Sequence, residues 1–275
     1  MGISQQDRDD PALSQSKPDA QERANRSVYF SRRVYRSYLS SKLTAAEIAC
    51  FTKYRSQIDG RDVLDIGVGA GRTTGHLAPI ARRYEAIDYS PVMVEYFHKQ
   101  RPEISVHQAD FCDLHLFANA SFDFVLATDN VLDALSHEHR LKALYEAARV
   151  LRPAGTLAFS SHNLAYKDAF AGPGPHWSGN LVQFAAELLF LPISLLNYIR
   201  VSPLRRATPE YALINDPGHH FACVHYYATR RGVERRLAEA GLALTDAFDY
   251  LGRPAADGSR DLESPWLFYI AQKLR

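Results

Sequence analysis

The sequence predicts an α/β protein built around a doubly wound, mostly parallel sheet. Apolar strand-like segments end near residues 66, 87, 107, 127 and 160, and helical segments separate them. Strands that alternate with helices favour a parallel sheet with helices on both faces. Residues 61–71 are the most informative segment, because an apolar strand there leads directly into a glycine-rich turn.

That turn predicts a binding site for a small molecule. Most of residues 63–66 is apolar, and three glycines follow at alternate positions, Gly67, Gly69 and Gly71. Because glycine has no Cβ atom, its backbone can turn sharply and approach a ligand closely. Similar turns occur in dinucleotide-binding folds and in purely structural loops, so the residues downstream must decide the function.

Two later strands end in acidic residues that suit a nucleoside. Residues 84–87 form an apolar strand followed by Asp88, at the spacing where a carboxylate accepts hydrogen bonds from both ribose hydroxyls. A third strand near residues 104–107 leads to Asp110 and Phe111, which suit the exocyclic amine and the ring of adenine. Singly, such aspartates are also typical of caps and turns, but together they favour binding.

This series of motifs closely resembles the class I S-adenosylmethionine-dependent methyltransferases. Residues 63–71 are similar to that family's first motif, and a fourth strand, residues 122–127, leads into Thr128 and Asn130. Residues 149–157 are similar to the family's segment before its fifth strand. Several motifs in the right order are more specific than a glycine turn alone.

The resemblance covers residues 60–163 well and the rest of the chain loosely. It implies a Rossmann-like, seven-stranded sheet with N-terminal helices and a helical lid insertion. A strand near residues 242–248 would pair with a final antiparallel strand at residues 266–271. We expect a disordered polar tail at residues 1–25 and a single domain over residues 26–275.

The resemblance also implies S-adenosylmethionine as the cofactor. The implied cofactor contacts are Tyr29, Asp65, Gly67, Gly69, Gly71, Asp88, Tyr89, Asp110, Phe111 and Thr128. Tyr29 belongs to this set because an N-terminal helical cap, here residues 26–58, often covers the cofactor in the family; the alternative is a core aromatic. A nicotinamide cofactor is disfavoured, because Arg72 occupies the third glycine position of G-x-G-x-x-G.

Composition favours an enzyme that acts on small molecules. The 275 residues are 46% hydrophobic and carry a formal net charge of +1, which gives no electrostatic case for nucleic acid. The three cysteines form no C-x-x-C pair, so we expect a reducing, cytoplasmic setting.

An insertion at about residues 164–228 distinguishes this chain. It is too long for an idle loop, and residues 181–201 within it are strongly apolar. The first interpretation is a half-buried helical lid over the acceptor pocket, and the alternative is an interfacial membrane or partner surface. Glu187 and Pro192 argue against a transmembrane span.

Histidines near the insertion are candidates for catalysis. His162 follows the fifth strand, where it would face the ligand crevice, and a neutral imidazole there can act as a general base. A structural role for it stays open. A zinc site formed by His219, His220 and His225 lacks clean ligand spacing, so we expect no metal. The candidate acceptor-binding residues are Asn130, Asp216, His220 and Tyr226.

The resulting prediction is an S-adenosylmethionine-dependent transfer of a methyl group to an oxygen or nitrogen atom of a small-molecule acceptor. The alternative is a non-catalytic binding or scaffold protein that keeps the cofactor fold. Weak cofactor binding would indicate the scaffold.

Overall fold

The chain folds around one large sheet. The computed structural model describes residues 18–30, 42–175, 179–255 and 261–275, and within them the sheet has ten strands. The strands are β1 (Asp62–Ile66), β2 (Arg83–Asp88), β3 (Ser105–Gln108), β4 (Phe122–Ala127), β5 (Leu151–Asn163), β6 (Arg206–Ala207), β7 (Tyr211–Ile214), β8 (His225–Ala228), β9 (Leu242–Asp249) and β10 (Trp266–Lys273).

Helices cover both faces of this sheet, as the alternation of elements predicts. The α-helices are α1 (Ala20–Tyr29), α2 (Ala45–Lys53), α3 (Thr74–Leu77), α4 (Pro91–Gln100), α5 (His137–Val150), α6 (Leu181–Val201) and α7 (Arg230–Glu239). Their starts agree with the sequence signals. Thr44 and Glu47 form a capping box for α2, and Ser90 caps α4 with Pro91 as its first residue.

The strand order confirms the predicted fold class. Strands β3, β2, β1, β4 and β5 are parallel neighbours in that order. Strand β10 runs antiparallel between β5 and β9. These seven strands form the predicted Rossmann-like sheet, and the β1 and β4 side chains are almost entirely buried in it.

Three further strands extend the sheet beyond the predicted seven. Strand β5 continues past the region where it pairs with β4, which ends at Ala127↔Phe159, and its last residues pair with β8 through His162↔Tyr227 and Asn163↔Ala228. Strands β7 and β6 follow in antiparallel order. The insertion therefore adds a second sheet edge beside the carboxyl ends of the parallel strands.

The N-terminal helix begins earlier than expected. Helix α1 starts at Ala20, capped by the Asp19 side chain, so the expected disordered tail is wrong for residues 20–25. The helix is held by tertiary contacts, since the Asn25 side chain bonds both the N–H and the carbonyl of Val224. The predicted helical positions between residues 34 and 39 lie outside the described residues.

Helix α6 does not form the expected lid. It is one continuous 21-residue helix with Pro192 inside it, and most of its apolar side chains are exposed. Among its described side chains, Ser194, Asn197 and Val201 are buried, and none of its leucines is. By length and composition α6 is the one described helix that could cross a membrane, which is weak evidence by itself.

Candidate active site

A cavity opens at the carboxyl ends of β1, β2 and β4, where ligands bind in doubly wound sheets. Seven residues predicted from the sequence line it: Tyr29, Gly67, Gly69, Asp88, Tyr89, Thr128 and Asn130. Arg72 and Thr73 also line the cavity, although neither was among the predicted contacts. The structure therefore brings six of the ten predicted cofactor contacts, together with Asn130, around one space.

The first two glycines of the turn form the cavity floor. Gly67 and Gly69 have φ angles of +70° and +53°, and a Cβ atom on Gly67 would lie 2.4 Å from Cγ2 of Val131. Gly71 has a different role, because its Cβ would lie 2.9 Å from the Phe97 ring. The third glycine thus lets α4 pack against the turn and does not line the cavity.

Asp88 lies at the end of β2, facing the cavity. Its two carboxylate oxygens accept hydrogen bonds from the N–H groups of Gly69, at 3.0 Å, and Ser90, at 2.9 Å. Burial raises its pKa to about 6, against the effect of these two hydrogen bonds. Each oxygen keeps a free lone pair, so the carboxylate can accept the two hydroxyls of a ribose.

Asp65 supports the turn from below and does not line the cavity. Its Oδ2 accepts hydrogen bonds from the hydroxyls of Thr73, at 2.5 Å, and Tyr84, at 2.6 Å. Burial raises its pKa to about 6, although both hydrogen bonds act to lower it. Asp65 therefore acts on a ligand through Thr73, and the predicted direct contact is not formed.

Asp110 and Phe111 do not line the cavity either. The Asp110 carboxylate pairs with Arg26 of α1 at 3.2 Å and accepts the N–H of Cys112 at 2.9 Å. Phe111 is 4% exposed and packs in the main hydrophobic core. The predicted adenine contact of Phe111 is wrong, because the chain after β3 turns this ring into the core.

The chain after β4 is strained where it meets the cavity. Asp129 and Asn130 have φ angles of +57° and +58°, a left-handed conformation that disfavours residues with a Cβ atom. The Asn130 N–H donates to Ser160 Oγ at 2.7 Å, and its side-chain Nδ2 donates to His162 Nε2 at 3.2 Å. Asn130 Oδ1 is buried and accepts no hydrogen bond from any described residue.

His162 belongs to a buried His–Asp pair that the sequence analysis missed. Asp133 Oδ2 accepts from the His162 backbone N–H, at 2.6 Å, and from Nδ1–H, at 2.8 Å. Burial acts to raise the Asp133 pKa, but Arg140 and His162 outweigh it and hold the pKa below its usual value. Because the ionised carboxylate fixes the proton on Nδ1, the lone pair on Nε2 is directed towards Asn130 at the cavity.

A second His–Asp pair lies beside the first. His225 Nδ1 donates to Asp216 Oδ2 at 2.8 Å, and its Nε2 lies 2.9 Å from the hydroxyl of Tyr29. Burial acts to lower the pKa of His225, but Asp216 raises it well above its usual value, and the pKa of Asp216 is correspondingly low. The pair is therefore a buried ion pair, and it holds Tyr29 against the cavity.

Two predicted acceptor residues point elsewhere. Side chains alternate along β8, so His225 and Tyr227 face His162 while Tyr226 faces α5. The Tyr226 hydroxyl bonds His137 Nδ1 at 2.9 Å. His220 is exposed and its ring stacks 4.6 Å from Phe190 of α6. Neither Tyr226 nor His220 lines the cavity at the glycine turn, and their contact with an acceptor stays a prediction.

The histidines do not assemble as the considered zinc set. Among the described residues, the one group with metal-ligand spacing is His162, Asp216 and His225, whose donor atoms lie within 4.8 Å of one another. His225 Nδ1 and the Tyr227 hydroxyl both donate to Asp216 Oδ2, at 2.8 Å and 3.0 Å, whereas His162 Nε2 lies 3.7 Å from that oxygen. Asp216 is therefore held by protein donors, and His162 is not hydrogen-bonded to it.

The cavity fits S-adenosylmethionine by its own chemistry. The turn at Gly67 has no room for a Cβ atom, Asp88 can accept a vicinal diol, and Asn130 Oδ1 has no hydrogen-bond partner among the described residues. The ring of Tyr29 closes the side opposite the turn.

Comparison with known proteins agrees with this site. The sequence model of a methyltransferase domain matches residues 63–155. A probable S-adenosylmethionine-dependent methyltransferase of Mycobacterium tuberculosis is 36% identical over 103 residues, which cover 38% of this chain and 36% of the relative. The cypemycin N-terminal methyltransferase of a Streptomyces species is 31% identical over 121 residues, 42% of this chain and 49% of the relative. The matches thus span less than half the length of either relative.

Solved structures share the fold over most of the chain. A methyltransferase from Clostridium acetobutylicum gives a TM-score of 0.58 at 12% identity, covering 91% of this chain and 99% of that one. The 1,6-didemethyltoxoflavin-N1-methyltransferase of Burkholderia thailandensis gives 0.59 at 15% identity, covering 95% and 93%. The sequence match falls on the segment that builds most of the cavity, and the fold agrees beyond it, so residues 63–155 are identified as a methyltransferase domain of the class I S-adenosylmethionine-dependent family.

Proposed function

We propose that this protein transfers the methyl group of S-adenosylmethionine to a hydroxyl oxygen of a small-molecule acceptor, with His162 as the general base. The observation that carries the proposal is the His162–Asp133 pair, which directs Nε2 to Asn130 at the cavity edge. An alcohol gains from a base during methylation, whereas an amine only needs to arrive unprotonated. A buried base beside the cofactor cavity therefore favours an oxygen acceptor.

When bound, the cofactor supplies a methyl group on a cationic sulfonium, and the protein's part is mainly alignment and removal of water. The glycine turn and Asp88 hold the nucleoside, and Tyr29 excludes water from the opposite side. Asn130 binds the acceptor through Oδ1, since none of the described side chains or N–H groups donates to that atom. The acceptor hydroxyl replaces Asn130 Nδ2 as the hydrogen-bond donor to His162 Nε2, and it transfers its proton to that nitrogen.

Asp133 is the positioning residue for this step. It holds the proton on Nδ1 before the reaction and stabilises the imidazolium that forms afterwards. Arg140 and Ser161 both donate to Asp133 Oδ1, so the carboxylate stays ionised and fixed in orientation. The base is thus oriented by a network that does not touch the cofactor.

A nitrogen acceptor is the second candidate. One similar protein is by name an N-terminal methyltransferase, of cypemycin, and another is by name an N1-methyltransferase, of 1,6-didemethyltoxoflavin. With an amine acceptor, His162 would serve to bind the acceptor and would not be needed for proton removal.

The test combines cofactor binding with a screen of acceptors. Calorimetry with S-adenosylhomocysteine measures binding, and a panel of alcohols, phenols and amines is assayed with radiolabelled S-adenosylmethionine. We expect His162→Gln to lower kcat by about 10²–10⁴-fold, while S-adenosylhomocysteine affinity stays within about threefold. The matched control is His115→Gln, because His115 forms a His–Asp pair with Asp113 on the surface.

Each alternative gives a different result. Full activity of His162→Gln on an amine would replace the oxygen acceptor with a nitrogen acceptor. Absence of S-adenosylhomocysteine binding by the wild-type chain would favour the scaffold alternative and overturn the proposal.

A further inference from the structure

Helix α6 presents an apolar surface to solvent. Eight side chains on it, which we call the α6 outer face, are between 43% and 80% exposed: Leu181, Val182, Leu188, Leu189, Ile193, Leu195, Leu196 and Ile199. A contiguous apolar surface of this kind marks an interaction site in a soluble domain. None of the described residues covers it.

The orientation of α6 is fixed by polar contacts on its inner side. Ser194 and Asn197 are buried, and Asn197 Nδ2 donates to the carbonyl of His220 at 3.0 Å. The ring of Phe190 stacks on His220 at 4.6 Å. A surface helix ordinarily turns its apolar side to the core, so the reversed arrangement indicates a partner outside the domain.

A basic cavity lies at the carboxyl end of the same helix. It has a volume of about 180 Å³ and includes Tyr198, Arg205, Arg206 and Asn215 in its lining. The Arg205 guanidinium stacks 3.7 Å above the Tyr198 ring, and its Nε donates to Asn215 Oδ1 at 2.5 Å. Its Nη2 is buried and meets no hydrogen-bond acceptor in the part of the chain that the structure describes. An anionic oxygen in this cavity would satisfy that nitrogen.

The surface around this cavity is also basic and apolar. Arg200 and Arg206 are exposed beside it, and Phe170, which lines the cavity, is 63% exposed. The exposed described positions of α6 carry no acidic side chain. The whole surface is therefore apolar along the helix and basic at one end.

We propose that the α6 outer face and this basic cavity form a docking site for the surface of an anionic phospholipid bilayer. The outer face enters the acyl boundary while the helix lies in the membrane plane, and the arginines bind phosphate headgroups. A second copy of the chain fits less well, because an antiparallel α6 would bring no carboxylate to the arginines. A transmembrane position would break the Asn197–His220 contact and expose Ser194 to lipid.

The docking site lies close to the proposed active site without being part of it. The turn that α6 holds includes His219, whose ring makes an edge contact with Tyr29 at 5.4 Å between centroids. Docking would therefore place the cavity near the bilayer surface. The inference needs no methyl transfer, so the failure of one proposal leaves the other standing.

The test is sedimentation of the full chain with sucrose-loaded vesicles, made either of phosphatidylcholine alone or with about 30% phosphatidylserine. We expect binding to the anionic vesicles. The double variant L189E/L196E should weaken it at least about tenfold, because two charges would enter the acyl boundary. R200E/R206E should weaken it by about fivefold or more for each reversed charge and remove the preference for phosphatidylserine.

Matched controls change the same residue types at other exposed positions. L116E/L274E replaces leucines that are 49% and 57% exposed, and R61E/R231E reverses two exposed arginines elsewhere. Both should bind as the wild type does. No sedimentation with anionic vesicles, or equal binding by L189E/L196E, would overturn the proposal. A concentration-dependent dimer lost in L189E/L196E, without vesicle binding, would instead assign the surface to a second copy.

Discussion

Replacing Asp65 with asparagine measures what it costs this protein to keep a charge buried under its glycine turn. Both side-chain hydrogen bonds to Asp65 end on one oxygen, Oδ2, and come from Thr73 and Tyr84. An asparagine carbonyl can accept both. Asp65→Asn therefore removes the charge and keeps the contacts.

The magnitude follows from the shifted pKa. Burial raises the pKa of Asp65 from 3.8 to about 6, and a difference of about two units corresponds to about 3 kcal/mol at pH 8. Because the pKa of Asp65 is higher in the folded than in the unfolded protein, ionisation of Asp65 destabilises the fold. Full stability is present below the unfolded pKa and is lost as the pH rises through about 6. At about pH 5 the loss of stability caused by the buried charge is roughly half of its value at pH 8.

The assay is urea unfolding of wild type and Asp65→Asn at about pH 5 and pH 8. From about pH 5 to pH 8, we expect the free energy of unfolding of the variant, relative to that of wild type, to rise by about 1.4 kcal/mol. Asp59→Asn is the control, because the Asp59 side chain is 56% exposed. S-adenosylhomocysteine affinity should stay within about threefold, since Asp65 acts through Thr73. A difference independent of pH, or one of opposite sign, would refute the reasoning.

Three further predictions concern the cavity and the second His–Asp pair. Gly67→Ala should weaken S-adenosylhomocysteine binding at least about tenfold by calorimetry, because its Cβ would lie 2.4 Å from Val131. The control Gly60→Ala shares a positive φ but has open space around its Cβ, so it should bind normally. Asp88→Ala should fold and lose the thermal stabilisation that S-adenosylhomocysteine gives wild type. His225→Gln should lose about 3–5 kcal/mol at neutral pH in chemical unfolding, because it leaves the Asp216 charge buried and unpaired. That loss should shrink as acid protonates Asp216, and as the pH rises through the raised pKa of His225.

Features that depend on neighbours in the chain were predictable. The strand before the glycine turn and the strand expected at residues 266–271 both agree with the structure. Each depends on residues within a few positions of one another, where hydrophobic periodicity, caps and glycine conformations act directly.

The contacts on the acceptor side were predicted less well. Asp133 and His162 lie 29 residues apart and meet only because β5 ends beside the chain that follows β4. Whether Tyr226 or Tyr227 faces His162 depends on the register of β8 against β5. Because side chains alternate along a strand, the sequence predicts that the two tyrosines lie on opposite faces of β8. It does not predict which of these faces contacts His162.

The sequence by itself determined the fold class, the glycine turn and the carboxylate at the end of β2, because local patterns specify strands and turns. Only the tertiary structure decided that two His–Asp pairs adjoin the cavity, that Phe111 belongs to the core and that α6 turns its leucines outwards. Apolar composition predicts that a helix will be buried, but not against what. The orientation of α6 depends on its few polar side chains, which need hydrogen-bond partners when they are buried. In this protein Asn197 donates to the carbonyl of His220.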